Sequence, residues 1–182
     1  MKKRSSNGWK IAAGATAIGG VAALIAAYKK SETPLKTVSN VDLKRYGGKW
    51  YEIASMPESF EKGCACTTAE YRLNPEGYVD VLNSCLKDGR EKEAWGKAYP
   101  VEGSGNAKLE VEFFWPFKGK YWIMELDEDY QYALVGHPNR KHLWILSRYP
   151  EMDEDVYVEY LQKARRQGFD ISKLELTEQF CQ

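Results

Sequence analysis

The chain has 182 residues, enough for one domain with a hydrophobic core in addition to a targeting segment. Its 26 basic and 26 acidic residues balance overall, but six Lys and Arg and no acidic residue lie within residues 1–30. The remaining 20 basic and 26 acidic residues give positions 31–182 a net charge of −6. This acidic balance argues against nucleic-acid binding, which needs a basic surface to neutralise phosphates.

An uncharged apolar stretch of eighteen residues, 11–28, is flanked on both sides by lysines. Its length is near the lower limit for crossing a bilayer at about 1.5 Å per residue, and basic flanks are typical of export signals. We predict that residues 1–30 form a membrane segment, either an uncleaved signal anchor or a cleaved signal peptide, with the anchor slightly favoured. Because the first cysteine is Cys64, an acylated N-terminal cysteine is not expected.

The next segment, residues 31–40, has no periodicity and contains Pro34, which predicts a linker or a cover over one end of the domain. We place the folded domain at residues 41–182.

The central part of the chain, residues 50–148, consists of short runs rich in Val, Ile and aromatic residues, separated by turn sequences. Within the runs apolar and polar residues alternate, as in residues 109–113, so each strand has one inward face. About eight antiparallel strands are predicted, and closing the sheet into a barrel would remove its exposed edges. The predicted turns are 74–77, 87–89, 103–106, 118–119, 127–129 and 137–139.

After Pro150 the spacing of apolar residues changes to that of a helix, with Tyr157, Tyr160, Leu161 and Ala164 on one face. We predict a helix within residues 150–168. Its acidic start and basic end match the helix dipole. Packing against the outside of the sheet is favoured over binding to a partner.

The four cysteines Cys64, Cys66, Cys85 and Cys181, in a chain with an export signal, predict disulfides. Zinc is the alternative, but the single residue between Cys64 and Cys66 is not a usual ligand spacing. No metal and no cofactor are therefore expected. The residues alone leave three pairings open, and counting from the turn at 74–77 places Cys66 opposite Cys85.

Three motifs of the chain resemble the signatures of the lipocalin family. They are NVDLKRY (40–46) followed by GKWYEIA (48–54), DYQYALV (129–135) and LWILSR (143–148). In that family the Trp of Gly-x-Trp plugs the closed end of the barrel, and the Arg of the third motif stacks over it. The resemblance thus implies structural roles for Gly48, Trp50 and Arg148. A cation over an indole ring is a favourable pair.

The resemblance covers roughly residues 38–182 and is greatest to bacterial lipocalins of the outer-membrane lipoprotein type. Apolipoprotein D and the plant temperature-induced lipocalins are similar too. It implies an all-β fold class, an eight-stranded antiparallel up-and-down β-barrel with the C-terminal helix packed outside. The N-terminus departs from the bacterial pattern, since an apolar segment replaces the acylated cysteine. We expect a bacterial envelope protein on the periplasmic side, anchored by residues 1–30 or released by cleavage.

The resemblance also bears on the cysteines. In apolipoprotein D a cysteine at the start of the second strand is bridged to one near the C-terminus, and Cys66 and Cys181 stand at similar positions. This favours Cys66–Cys181 together with Cys64–Cys85.

For function, the resemblance implies binding, storage or transport of a small hydrophobic ligand, such as a fatty acid or lysophospholipid, in membrane maintenance or stress. A closed barrel of eight strands has an interior just large enough for one such ligand. Strand parity predicts its lining as Glu52, Ala54, Ala69, Tyr71, Val81, Asn83, Val111, Phe113, Tyr121, Ile123 and Trp144.

No catalytic residues and no enzymatic activity are predicted, because the sequence has no nucleophile-elbow motif and no phosphate-binding glycine loop. Glu52 is the residue that could have a catalytic role in spite of this prediction, since a carboxyl group inside an apolar barrel must be protonated or paired. Two alternatives remain: an isomerase using Glu52 or a free thiol, and an interaction module whose barrel is filled by its own side chains. A homodimer is left open by the sequence.

Overall fold

The computed structural model describes residues 33–56, 63–114 and 116–181. The predicted membrane segment, residues 1–30, lies outside the described residues. Among the residues that are described, no helix combines the length and the apolar character needed to cross a membrane.

The described chain folds into antiparallel strands with a short helix before them and a longer one after them. The elements are α1 (Leu43–Tyr46), β1 (Gly48–Ser55), β2 (Cys64–Leu73), β3 (Val79–Lys87), β4 (Arg90–Pro100), β5 (Lys108–Phe114), β6 (Phe117–Leu126), β7 (Tyr132–Gly136), β8 (Leu143–Ser147), α2 (Glu154–Arg166), a 3-10 turn (Ile171–Lys173) and β9 (Glu175–Leu176).

Strands β1 to β8 each pair with the next in the chain, and β8 pairs back onto β1, so the sheet closes. The predicted eight-stranded antiparallel barrel is confirmed, with β9 as an additional short strand beside β1. Closure leaves β1 to β8 with partners on both sides, which removes the exposed edges that an open sheet would have.

One turn differs from the prediction. Strand β5 ends at Phe114 and β6 begins at Phe117, whereas the predicted break at 118–119 falls inside β6. Gly119 pairs with Val111 there, and a side chain at position 119 would have room, since the nearest atom would be 3.9 Å away. The hairpin therefore turns at Pro116, which cannot donate a ladder hydrogen bond.

Helix α2 packs on the outer face of the barrel, as predicted. Tyr160 and Ala164 are buried against an outer cluster that includes Leu134 and Ile145 of β7 and β8. The helix is shorter than the predicted 150–168. The Ser147 hydroxyl accepts from the N–H of Tyr149 at 3.0 Å and donates to the carbonyl of residue 151 at 3.4 Å, which ties the intervening chain to the end of β8.

The segment predicted as a linker, residues 31–40, contacts the barrel along its described part. Leu35 is buried in the outer cluster with Met124 and Phe169, and the Val38 N–H donates to the Ile123 carbonyl at 3.1 Å. These contacts place residues 35–38 against the barrel.

The closed end of the barrel is built around Trp50 and Arg148. The Arg148 guanidinium lies 3.9 Å from the centre of the Trp50 ring, and the Trp50 Nε1–H donates to the Tyr46 carbonyl at 2.8 Å. Arg148 also donates to the carbonyl oxygens of Lys49 and Arg45, both at 2.8 Å. One cation thus satisfies carbonyl groups at the end of α1 that the short helix leaves unpaired.

Gly48 makes this arrangement possible. Its φ of +87° is a conformation that favours glycine, and a Cβ there would stand 3.5 Å from Arg148 Nη1. The Gly-x-Trp spacing therefore places the Trp50 ring beneath the guanidinium of Arg148.

The two disulfides are Cys64–Cys85, which joins β2 to β3, and Cys66–Cys181, which ties the C-terminal segment to β2. This is the pairing favoured above. Two disulfides in one chain indicate folding in an oxidising compartment, outside the cytoplasm.

The C-terminal segment occupies the seam between β1 and β2. These strands pair only between Gly48–Tyr51 and Thr68–Tyr71, and beyond that point β9 pairs with β1 instead. The Gln179 side-chain amide donates to the carbonyls of Glu52 at 2.7 Å and Thr67 at 2.9 Å, bridging the two strands. The tail therefore completes the barrel wall where the β1–β2 ladder stops.

Candidate functional site

The barrel encloses a cavity of about 800 Å³. Residues at its floor, such as Trp50 and Tyr71, are almost fully buried, whereas Phe114, the last residue of β5 at the opposite end, is 68% exposed. The cavity thus has a closed floor near α1 and a mouth at the β3–β4 and β5–β6 hairpins. A space of this size contradicts a barrel filled by its own side chains and fits one small ligand.

Most of the predicted lining residues border this cavity. They are Glu52, Ala69, Tyr71, Val81, Asn83, Val111, Phe113, Tyr121 and Trp144.

Ala54 does not line the cavity, so that prediction is wrong. The pairing of β1 with β8 shifts register between Glu52 and Ala54, and this irregularity reverses the side-chain alternation. Ala54 is fully buried in the outer cluster under helix α2, next to Ile53. Strict parity counting cannot detect such a shift.

Ile123 faces inward but lies below the cavity, so its predicted place in the lining is also wrong. It is fully buried in the inner core cluster, and its N–H donates to the Ala107 carbonyl at 2.8 Å. Val38 lies at the same level of the barrel as Ile123, because its N–H donates to the Ile123 carbonyl. The interior is therefore solid at this level.

Several lining residues were missed because the prediction followed alternating apolar residues. Ala94 lies two positions before Gly96 and four before Ala98 on a strand whose other residues are mostly charged. Leu146 lies two positions after Trp144 and shares its face. Both strands alternate with a period of two. The inward side chains of β4 are small and therefore weakly hydrophobic, so the inward face of β4 was not recognised from the sequence.

The polar floor of the cavity is a cluster of three tyrosines. The Tyr46 and Tyr121 hydroxyls lie 2.7 Å apart, and the Tyr71 hydroxyl donates to Tyr121 at 3.0 Å. Burial raises the pKa of all three phenols, that of Tyr71 to about 12. All three hydroxyls therefore keep their hydrogen at neutral pH and can act as donors.

Glu52 stands in the wall, 7% exposed. Its Oε1 accepts hydrogen bonds from the Ser55 hydroxyl at 2.9 Å and the Thr177 hydroxyl at 2.6 Å. Burial raises its pKa above the ordinary value of glutamic acid, while these two hydrogen bonds oppose the rise. The carboxyl group therefore has protein partners, as expected of a buried acid.

The wall also holds Asn83, between Ala69 on β2 and Ala94 on β4 in the strand register. Its Oδ1 is buried and has no hydrogen-bond partner among the described residues. Its neighbours in the strand register, Ala69 and Ala94, have small side chains.

Two lysines, Lys87 and Lys92, border the cavity at the mouth. Neither forms an ion pair within the described ranges. The exposed ring of Phe114 lies at the same end of the barrel, as the last residue of β5. The mouth therefore combines cationic groups with an exposed aromatic ring.

His137 and His142 belong to the β7–β8 connection at the mouth and border the cavity. Burial lowers the pKa of both imidazoles, so both are neutral at neutral pH. The Nδ1 atom of His137 accepts the N–H of Asn139 at 3.0 Å. His137 therefore uses its acceptor nitrogen to close the turn.

Metal binding finds no support in the described part of the chain. All four cysteines are in disulfides there, and no group of three or more potential ligand residues is found.

The buried carboxyl of Glu52 leads to a pH-dependent prediction. Because the folded state raises its pKa, this group favours folding most below the unfolded pKa, and the contribution is lost as pH rises through the folded pKa. We expect Glu52→Gln, which keeps an acceptor for Ser55 and Thr177, to gain stability relative to the parent as the pH rises above the ordinary glutamic acid pKa of about 4.3. Urea unfolding of both proteins across this range measures the difference.

The exposed position Glu70, on the outer face of β2, is the matched control. Glu70→Gln is expected to show no such trend. A Glu52→Gln stability difference that is independent of pH would contradict the assignment.

A closed antiparallel barrel with an apolar cavity, a solid floor and a cationic mouth defines a β-barrel of the small-ligand-binding type. Comparison with known proteins agrees. The lipocalin-like domain family matches residues 41–179. Outer membrane lipoprotein Blc of Vibrio cholerae is 43% identical over 148 residues, covering 80% of this chain and 86% of that protein. The chain belongs to the lipocalin family.

Two further proteins are similar to this chain over about the same share of its length. Temperature-induced lipocalin-1 of Arabidopsis thaliana is 42% identical over 154 residues, covering 80% of this chain and 83% of that protein. Insecticyanin of the tobacco hornworm, Manduca sexta, superposes with a TM-score of 0.66 at 25% identity, covering 82% of this chain and 86% of the other. The predicted relationship to bacterial outer-membrane and plant temperature-induced lipocalins is confirmed.

Proposed function

We propose that this lipocalin binds one amphiphilic lipid, a fatty acid or lysophospholipid, and stores or carries it in the bacterial envelope during membrane maintenance or stress. The observation that carries the proposal is the cavity of about 800 Å³, with apolar walls and a closed floor. Each buried methylene contributes about 0.8 kcal/mol, so an acyl chain supplies most of the binding free energy.

The mouth supports an anionic head group. Lys87 and Lys92 border the cavity there, and the pairing of Lys87 with Arg90 across the β3–β4 turn adds a further cation. A carboxylate or phosphate at this position would form charge-assisted hydrogen bonds. A fatty acid is therefore expected to bind more tightly than its methyl ester.

We propose binding without catalysis. The thiol route needs a free cysteine, and the described cysteines are all paired. The carboxyl route needs Glu52 to exchange protons with a substrate, yet Ser55 and Thr177 already bind its Oε1. The proposed site residues accordingly bind the ligand and have no chemical role.

A cavity-filling variant tests the proposal. Ala69→Phe places a phenyl ring in the space beside Asn83, which shortens the room for an acyl chain by about two methylenes, or about 1.6 kcal/mol. We expect the affinity for palmitic acid to fall by more than about tenfold. The measurement is displacement of a fluorescent fatty acid from the full chain in phospholipid nanodiscs, with empty nanodiscs as background.

The control is Glu70→Phe, which adds the same ring at the neighbouring, outward-facing position of β2. It should bind palmitic acid like the parent. The proposal would be abandoned if the parent failed to bind any fatty acid or lysophospholipid, or if both variants bound equally well.

A further inference from the structure

The carboxyl group of Glu52 has one oxygen that no protein group occupies. Both of its hydrogen bonds, from Ser55 and Thr177, go to Oε1, and within the described ranges Oε2 has no partner. Among the described residues, the Asn83 Oδ1 is the only unpartnered side-chain oxygen or nitrogen that is also inaccessible. The Glu52 Oε2 therefore retains accessible surface, and because Glu52 borders the cavity, this oxygen faces the ligand space.

Glu52 stands in the lower part of the cavity, close to the tyrosine floor. It lies one inward position above Trp50 on β1, and its partner on β8, Leu146, also borders the cavity. Burial is the main cause of the raised pKa of Tyr71, and the nearby Glu52 carboxyl raises it further. The end of a ligand that reaches the floor therefore lies beside this carboxyl group.

The lysines that border the cavity lie away from Glu52. They stand near the strand ends at the mouth and are Lys87, Lys92, Lys118 and Lys120. Glu52 itself forms no ion pair within the described part of the chain. The charge along the cavity is therefore asymmetric, with cations at the mouth and a lone carboxyl group near the floor.

This asymmetry favours one orientation of an anionic amphiphile. Two carboxylates that share a poorly solvated site cannot both stay ionised without a cost in free energy. A carboxylate at the floor would meet Glu52, whereas at the mouth it would meet Lys87 and Lys92. The tyrosine hydroxyls at the floor are donors and by themselves would suit an anion. Glu52 is therefore the group that opposes an anion there.

From this arrangement we propose that Glu52 is a specificity-determining residue that keeps anionic groups out of the lower cavity. The ligand binds with its anionic group at the mouth and an uncharged end beside the Glu52 Oε2. This inference rests on the proposed lipid-binding function and narrows the lipid class to amphiphiles with an anionic group at one end only. Dicarboxylic acids with a charge at each end are rejected, because one carboxylate faces the floor whichever end enters first.

The test compares dodecanedioic, tetradecanedioic and hexadecanedioic acids with their monomethyl esters, which have one charge each. The nanodisc displacement assay on the full chain is run at about pH 8.5, where carboxylic acids are ionised. In the parent, the ester should bind at least about tenfold more tightly than the diacid at one or more chain lengths. Glu52→Gln, which removes the charge and keeps the shape, should reduce this ratio at least about threefold.

The change caused by Glu52→Gln carries the test, because burying a second charge by itself also favours the ester. Glu70→Gln removes a carboxylate from the outer face of β2 and should leave the ratio unchanged. A purely structural effect of Glu52→Gln would weaken the diacid and the ester alike and would also leave the ratio unchanged.

The outcomes separate the two proposals. If Glu52→Gln retains the ratio of the parent at every chain length, or if the parent binds diacid and ester equally, Glu52 does not select the ligand. This inference is then overturned while the lipid-binding function stands. If palmitic acid, the esters and the diacids all fail to bind the parent, the lipid-binding function itself fails.

Discussion

Trp50→Ala is expected to lower the free energy of unfolding by about 3–5 kcal/mol, the usual range for removing a large buried aromatic side chain. Trp50 is fully buried in the inner core and contacts the Tyr46 ring at 5.0 Å between centroids. Its loss also removes the ring beneath Arg148 and the hydrogen bond to the Tyr46 carbonyl. The closed end of the barrel would lose its central contact.

Thermal unfolding of the full chain measures this effect, and a decrease in Tm of about 10 °C or more is expected for a chain of this size. Trp95→Ala makes the same substitution at a residue that is 64% exposed. That control should change the free energy of unfolding by less than about 0.5 kcal/mol. Equal effects of the two substitutions would contradict the role of Trp50.

The second large effect is expected for the double variant Cys66→Ser with Cys181→Ser. This disulfide spans 115 residues, against 21 for Cys64–Cys85. In the chain-entropy model such loops correspond to about 4.8 and about 3.3 kcal/mol of stability. Removing Cys66–Cys181 should therefore destabilise the protein more than removing Cys64–Cys85 by Cys64→Ser with Cys85→Ser, by about 1.5 kcal/mol.

The contacts of the C-terminal segment are a second reason to expect the larger destabilisation when Cys66–Cys181 is removed. The Cys66 N–H donates to the Glu178 carbonyl at 2.6 Å, and Gln179 bridges β1 and β2 where they no longer pair. Without its covalent tie, the tail can leave this seam. Urea unfolding and amide hydrogen exchange of β1 compare the two double variants. Equal stabilities, with unchanged exchange in both, would show that the tail does not hold the wall.

The site combines features that favour different parts of one ligand. The mouth has cations, the middle has apolar walls, and the floor has a hydrogen-bonded cluster of tyrosines. An apolar chain supplies affinity through burial but little specificity. Selectivity is therefore expected mainly from the charged groups at the mouth, Lys87 and Lys92.

The sequence by itself determined the parts of this protein that depend on local patterns. Alternation with a period of two predicted the strands, the spacing after Pro150 predicted helix α2, and the resemblance of the Gly48-x-Trp50 and Arg148 motifs to those of lipocalins implied the closed end. These features depend on neighbours in the chain or on short motifs, so one sequence is sufficient to recognise them.

Tertiary structure decided where alternation was interrupted and which polar groups lacked a partner. The register shift after Glu52 moved Ala54 to the outer cluster, and the cover formed by residues 38 and 107 placed Ile123 below the cavity. Asn83 was recognisable as inward-facing from the sequence, but its lack of a partner was not. A hydrogen bond depends on every side chain that surrounds a group, and those neighbours come together only when distant strands close the barrel.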